Sequence, residues 1–291
     1  MEQKETGVSC PHCGWPSRFD FIFYERSYYH CTHCDLIFHR PERKEDAQKV
    51  LDYYRKRYFD EHAQDQLSGE RKKIYRHALD LIERFQSPGK LLDVGCGIGQ
   101  LLKEALARGW DVLGVDPSEK SIAYARGLIG DRVVCGTLDD IKETGKFDCV
   151  TLINVLDHMV DGGRQLRKTY HLLKEGGMIY LRLPNGFFYS RLRRLSSKYR
   201  WLNAMNRYLV FHEYVVTPVA IRRCLADYGY KDIMVGGDRL SFVDCRQHMR
   251  LPTHLVAFFM RVFFWGAKLL EIVSRGRLVL SPSMWVVAWK K

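Results

Sequence analysis

From Lys90 onward the chain alternates between short apolar runs and longer stretches of mixed polarity. Leu91–Val94, Asp111–Val115, Val133–Cys135, Phe147–Ile153 and Met178–Leu183 are runs dominated by Leu, Val and Ile, and each reads as a buried strand. Gln100–Arg108, Glu119–Leu128 and Gly163–Leu173 lie between them and read as helices. Strand–helix alternation at this spacing predicts a parallel sheet covered by helices on both faces. A helix near Pro218–Tyr228, a strand near Asp232–Val235 and a last strand at Trp285–Trp289 continue the pattern. Upstream, residues 41–86 are charged and helical, with Tyr53, Tyr54, Tyr58 and Phe59 clustered early, and Ser87-Pro88-Gly89 breaks that segment. Residues 8–38 interleave apolar and aromatic positions suited to short strands. The expected organisation is a small module over 1–40, a helical connector and lid over 41–86, and an α/β domain over 87–291 with a basic insert at 186–211.

The most apolar stretch, Leu255–Val273, is interrupted by Arg261, Lys268 and Glu271. A spanning helix needs roughly 20 residues with few charges, so this segment reads as amphipathic or buried. Phe258, Phe259, Phe263, Phe264 and Trp265 within it are expected to pack in the core, with an apolar surface as the alternative.

At 291 residues, with 46% hydrophobic and 27% charged side chains, the composition is that of a globular protein and excludes a disordered one. The net charge of +12 is unevenly placed. Residues 1–185 hold 28 basic and 28 acidic side chains, whereas 186–291 hold 18 basic and 6 acidic. Such a surface attracts phosphates, anionic lipid or nucleic acid. The polar start MEQKETG shows no secretory signal, and nine cysteines without one argue for reduced thiols in a cytoplasmic setting.

Two motifs carry chemistry. In Leu91-Leu92-Asp93-Val94-Gly95-Cys96-Gly97-Ile98-Gly99 a buried strand runs into three glycines before a helix, where glycine lets the backbone turn tightly and approach a ligand. The next strand, Val112–Val115, ends in Asp116, 21 residues after Gly95, the place of an acid that binds ribose hydroxyls; its alternative role is to cap the following helix. The second motif is Cys10-x-x-Cys13 and Cys31-x-x-Cys34, separated by 17 residues. That spacing points to four thiolates around structural Zn²⁺. Cys96, Cys135, Cys149, Cys224 and Cys245 read as small buried residues, and His12, His30 and His33 as surface residues.

With Asp93 before the glycines, the chain resembles the class I S-adenosylmethionine-dependent methyltransferases rather than dinucleotide-binding enzymes. Further segments carry the likeness: Gly136-Thr137-Leu138-Asp139-Asp140, like the loop beside the adenine; Asn154-Val155-Leu156-Asp157-His158, like the segment written N-V-L-E-H in relatives; Leu172–Gly177; and His212-Glu213-Tyr214. The resemblance implies a Rossmann-like doubly wound, seven-stranded methyltransferase fold. It also implies S-adenosyl-L-methionine held by Asp93, Gly95, Cys96, Gly97, Gly99, Asp116, Leu138 and Asn154. His158 and His212 are the candidate general bases for a hydroxyl acceptor, because imidazole titrates near neutral pH. The alternative is that they only shape the pocket. Asp157 stands where Glu is usual. The whole chain is similar to bacterial glycan- and sugar-modifying methyltransferases with an N-terminal zinc ribbon. The expected function is methyl transfer to a small-molecule, sugar, glycan or lipid-linked acceptor, on oxygen.

The basic insert adds a partner. Arg191, Arg193, Arg194, Lys198, Arg200 and Arg207 surround Leu192, Leu195, Leu202, Met205 and Leu209. Such a helix lies on an anionic membrane at its cytoplasmic face, or packs as a lid with a solvated basic face. The competing function is an RNA methyltransferase gripping phosphates with its ribbon and basic tail. Ile153-Asn154-Val155-Leu156 lacks the Asn-Pro-Pro-Tyr pattern of amino-methylation on planar bases, so nucleic acid is the lesser expectation.

Overall fold

Buried aliphatic strands form the centre of the molecule. The computed structural model describes residues 7–40, 44–67, 69–159, 161–199, 209–238, 253–274 and 276–291. Arg200, Leu202, Met205, Arg207 and Cys245, and the side chains of Phe258, Phe259 and Phe263, lie outside the described residues. Four strands form the ribbon, β1 (Val8–Ser9), β2 (Pro16–Phe23), β3 (Arg26–His30) and β4 (Ile37–His39). Three helices follow, α1 (Lys44–Lys56), α2 (Tyr58–Leu67) and α3 (Gly69–Ile82), where the sequence suggested one charged helical segment.

The α/β part comprises β5 (Lys90–Val94), α4 (Gln100–Leu106), β6 (Asp111–Asp116), α5 (Glu119–Ile129), β7 (Val133–Cys135), β8 (Phe147–Ile153), α6 (Gly162–Leu172), β9 (Leu173–Pro184) and α7 (Gly186–Lys198). After it come β10 (Tyr214–Val215), α8 (Pro218–Asp227), β11 (Lys231–Asp238), α9 (Thr253–Val273) and β12 (Ser283–Trp289). The seven-stranded sheet has the order β11-β12-β9-β8-β5-β6-β7. The pairs β5–β6, β6–β7, β5–β8 and β8–β9 are parallel, and β12 is antiparallel to both its neighbours. This is the doubly wound α/β sheet expected from the pattern. Leu91, Leu92, Val150, Leu152, Ile179 and Leu181 are fully buried, as central parallel strands require. The order reverses between β5 and β8, so a crevice opens beyond their carboxyl ends, the place where such sheets bind ligands.

The small sheet has the order β1-β2-β3-β4-β10. Its last strand comes from the other end of the chain: Tyr214 pairs Phe38 and Val215 pairs Ile37. The ribbon is therefore stitched to the segment that carries His212. The cysteines outside the ribbon divide: Cys96, Cys149 and Cys224 are buried as expected, but Cys135 is exposed because β7 is the edge strand. His12 is also not a surface residue; its ring bonds the Tyr228 hydroxyl at 2.9 Å and Asp227 at 2.8 Å, tying the first knuckle to α8. His30 bonds Asp35, whereas His33 is exposed and stacks on Trp15. Trp265, expected in the core, is exposed on α9.

Candidate active site and cysteine centre

The loop after β5 turns because Gly95 and Gly97 have φ of 73° and 52°, values that favour glycine. At Gly95 a Cβ would also come within 2.5 Å of the Val155 side chain. The Asp116 carboxylate braces the loop from the neighbouring strand. Its Oδ2 accepts the Gly97 N–H at 2.9 Å, and its Oδ1 accepts that of Ser118 at 2.9 Å. It thus joins the two strand ends, while the cap of α5 is the Ser118 side chain. Burial raises the Asp116 carboxyl and these two N–H groups oppose the rise. Asp93 is buried at the end of β5 and accepts the Thr151 hydroxyl at 2.7 Å. Burial pushes its carboxyl up to about 7; Thr151 opposes this, and the nearby Asp116 adds to it. Cys96 and Gly99 complete the loop, and Leu138 is buried in a short turn capped by Thr137 beyond β7.

Gln66 on α2 faces this loop. A Cβ on Gly97 would lie 3.3 Å from its Oε1, and that buried oxygen has no hydrogen-bond partner among the described residues. The sequence gives no signal for Gln66, because the contact is made across the fold.

Asn154, just past β8, has a left-handed φ of 56°, a conformation asparagine tolerates better than most residues. Its Oδ1 accepts the Arg182 guanidinium at 2.7 Å, and the buried Arg182 also bonds Asp238 at 2.5 Å. This fixes the turn that leads to Asp157 and His158. The His158 Nδ1 lies 2.6 Å from the Tyr54 hydroxyl of α1. The His158 and His212 rings stand 3.8 Å apart between centroids. Their Nε2 atoms lie 3.9 and 3.8 Å from one oxygen of the buried Asp157. The three donor atoms lie within 4.8 Å of one another, close enough to share a cation. Burial lowers His158 to about 4, helped by Arg71 and His62, and lowers His212 to about 3, helped by His158. Burial thus holds both imidazoles in the neutral form and makes each a weaker base than a free imidazole.

The two candidate bases, far apart in sequence, are thus brought together, and both stand beyond the same edge of the sheet as the glycine loop. His212 is held from the ribbon: the Tyr28 hydroxyl donates to the His212 carbonyl at 3.0 Å and to that of Phe211 at 3.3 Å. The His39 N–H donates to the Glu213 carbonyl at 2.8 Å, and Arg26 pairs with the buried Glu213 carboxylate at 2.9 Å. Tyr54 and Tyr28 acquire these roles only in the fold; the tyrosine cluster at 53–58 was the signal for the first.

The four ribbon cysteines form a separate centre. Cys10 and Cys34 Sγ are 3.6 Å apart, as are Cys13 and Cys31, and all four lie within 4.8 Å of one another. Tetrahedral zinc with bonds of about 2.3 Å would set sulfurs about 3.8 Å apart. The two knuckles match: Gly14 N–H donates to Cys10 O and Asp35 N–H to Cys31 O, while Cys10 N–H reaches Trp15 O and Cys31 N–H reaches Leu36 O. The donor set therefore fits a structural zinc ion.

A family profile described as a methyltransferase domain matches residues 59–235. A ubiquinone biosynthesis O-methyltransferase from Bradyrhizobium diazoefficiens is 35% identical over 150 residues, covering 47% of this chain and 56% of the relative. One from Caulobacter vibrioides is 40% identical over 103 residues, covering 33% and 40%. The chain spans about half the length of the curated relatives it matches. Among solved structures, an S-adenosylmethionine-dependent methyltransferase from Archaeoglobus fulgidus is similar with a TM-score of 0.54 at 20% identity, covering 80% of this chain and 100% of that one. A magnesium protoporphyrin IX methyltransferase from Synechocystis with bound S-adenosylhomocysteine gives 0.53 at 16% identity, covering 84% and 100%.

Proposed function

This chain belongs to the methyltransferase domain family, and from that premise we propose that it carries the methyl group of S-adenosylmethionine to a hydroxyl oxygen of a small-molecule acceptor. The observation that carries the reading is one sheet edge holding both a nucleoside-type cradle and a neutral histidine pair backed by a carboxylate. Gly95 and Gly97 let the chain approach a cofactor closely, Asp116 offers its carboxylate to ribose hydroxyls, and the Gln66 oxygen, without a partner among the described residues, supplies an acceptor facing the loop. S-adenosylmethionine supplies an activated methyl on its sulfonium sulfur.

The residues of this chain then orient the acceptor and remove its proton. With Nδ1–H of His158 donating to the Tyr54 oxygen, Nε2 is bare and takes the acceptor proton as the new O–CH₃ bond forms and the S–CH₃ bond breaks. Asp157, beside both rings, stabilises the imidazolium. α1 and α2 reach over the site through Tyr54 and Gln66. The cysteine ribbon holds a structural zinc ion, and its part is to fix the His212 segment through Tyr28, His39 and Arg26. Oxygen as the accepting atom is supported by the relatives named O-methyltransferases.

The test is calorimetry with S-adenosylmethionine, then turnover to S-adenosylhomocysteine with hydroxylated aromatic and sugar acceptors, with products checked for a mass gain of one CH₂. His158→Ala should bind the cofactor normally and lose turnover by about 10²-fold or more. A wild-type protein that binds nicotinamide dinucleotides and not S-adenosylmethionine would overturn the reading. Full turnover in His158→Ala would remove the base.

A further inference from the structure

We infer that the outward face of α9 docks on an anionic lipid bilayer. Along the described part of this helix the inward side is made by Ala267 and Glu271, both buried. The Glu271 carboxylate accepts the Gly237 N–H at 2.8 Å, which ties the helix to β11, and pairs within the helix with Lys268 at 2.7 Å, so the only two charges between 262 and 273 are paired with each other. The opposite side carries Trp265 at 70% exposure, Leu269 at 62%, Ile272 at 65% and Val273 at 72%, with Val262 and Leu270 beside them. At 100° per residue these six positions share one arc, and no charged residue between 262 and 273 falls on it. Solvent-facing helices normally carry their polar residues there; an apolar outward face marks an interaction surface.

Charge chooses the occupant. Residues 239–282, the connection between β11 and β12 that contains α9, hold seven basic side chains and two acids, one of them the anchored Glu271. An apolar helix face with a tryptophan, set in a basic segment, suits a helix lying in the headgroup region of an anionic leaflet. The described part of the stripe spans 12 residues, about 18 Å along the helix. A bilayer needs no matching surface. No described helix is long and apolar enough to cross a membrane, which leaves α9 to lie along one.

The placement bears on the acceptor. Asp238 pairs Ser283, and Ser283 pairs Pro184, so the connection rises from the carboxyl end of the parallel strands, the edge that holds the glycine loop and His158. Docking through α9 brings that edge to the lipid surface. On the methyl-transfer reading, on which this step rests, the acceptor is a molecule dissolved in or carried by the bilayer.

The experiment is co-sedimentation of the full chain with vesicles of phosphatidylcholine alone and of phosphatidylcholine with phosphatidylglycerol, at low and high salt. A triple variant, Trp265→Gln with Leu269→Gln and Ile272→Gln, alters only exposed positions; its melting temperature and calorimetric cofactor binding report that the fold and the methyl-transfer site are intact. The expected result is wild-type binding to the anionic vesicles, weakened by salt, and at least ten-fold weaker binding of the triple variant. Equal binding of variant and wild type, equal partitioning onto neutral and anionic vesicles, or no binding to either would overturn the proposal. So would a wild-type dimer that the triple variant converts to monomer, which would make the face an interface between copies. Loss of cofactor binding by the wild type would strike the methyl-transfer reading alone.

Discussion

Replacing Asp93 by Asn should make the protein more stable at neutral pH and worse at holding its cofactor. The Asp93 carboxyl is buried, and burial raises it from 3.8 to about 7. In the unfolded chain the group loses its proton near pH 4, while the folded chain keeps it until about pH 7. Between those values folding takes up a proton, so stability falls as pH rises through the window and levels off above it. The full difference of about 3 pKa units corresponds to about 4 kcal/mol, of which about 3 kcal/mol develops between pH 4.5 and pH 8. Asn does not titrate, and its Oδ1 still accepts the Thr151 hydroxyl. Its amide brings a new buried donor, an offset of about 1–3 kcal/mol that does not depend on pH. The diagnostic quantity is therefore the change with pH in the variant-minus-wild-type stability, in which titrating groups distant from Asp93 cancel. At about 2 °C per kcal/mol, thermal melts should show the gap moving in favour of the variant by about 6 °C from pH 4.5 to pH 8. Calorimetry at pH 8 should show weaker S-adenosylmethionine binding. A gap that stays flat across that range would refute the burial argument for Asp93.

Asp116→Ala should weaken S-adenosylmethionine binding about ten-fold or more, and should also lower the melting temperature by a few degrees because Gly97 and Ser118 lose their acceptor; unchanged affinity by calorimetry would remove Asp116 from the cofactor site. Tyr28→Phe leaves the His212 and Phe211 carbonyls without their shared donor, and should lower kcat about five-fold with cofactor affinity and zinc content unchanged. A fall in cofactor affinity instead would place the effect on the whole fold. Cys31→Ser should lose the metal, seen by elemental analysis, and loosen residues 8–38. Because β4 pairs β10, it should also cut turnover while cofactor binding persists; metal-free wild type with full activity would contradict the link between ribbon and site.

Local pattern settled most of what lies within one stretch of chain. The alternation from Lys90 onward places β5, β7 and β8 within a residue of their observed ends, because buried parallel strands must be continuously apolar and the helices between them need their own polar face. The glycine loop, Asp93 and Asp116 were legible because a tight turn at a strand end demands glycine, and the acid follows one βαβ step later. The ribbon cysteines were legible because two tight turns each present a pair of thiols. The expected burial of Cys135 and Trp265 failed, since an amino acid's type does not reveal that its strand lies at an edge or that its helix faces outward. Contacts between distant segments were decided by the fold alone. Tyr54 and His158 are 104 residues apart and Tyr28 and His212 are 184 apart, yet each pair is hydrogen-bonded. No periodicity encodes such a meeting. It arises because β10 closes the ribbon sheet and α1 lies over the sheet edge, and both arrangements exist only once the core has packed. The residue types fixed which groups were available for chemistry; packing chose the neighbours that lower two imidazoles and raise Asp93, because burial is a property of the whole structure.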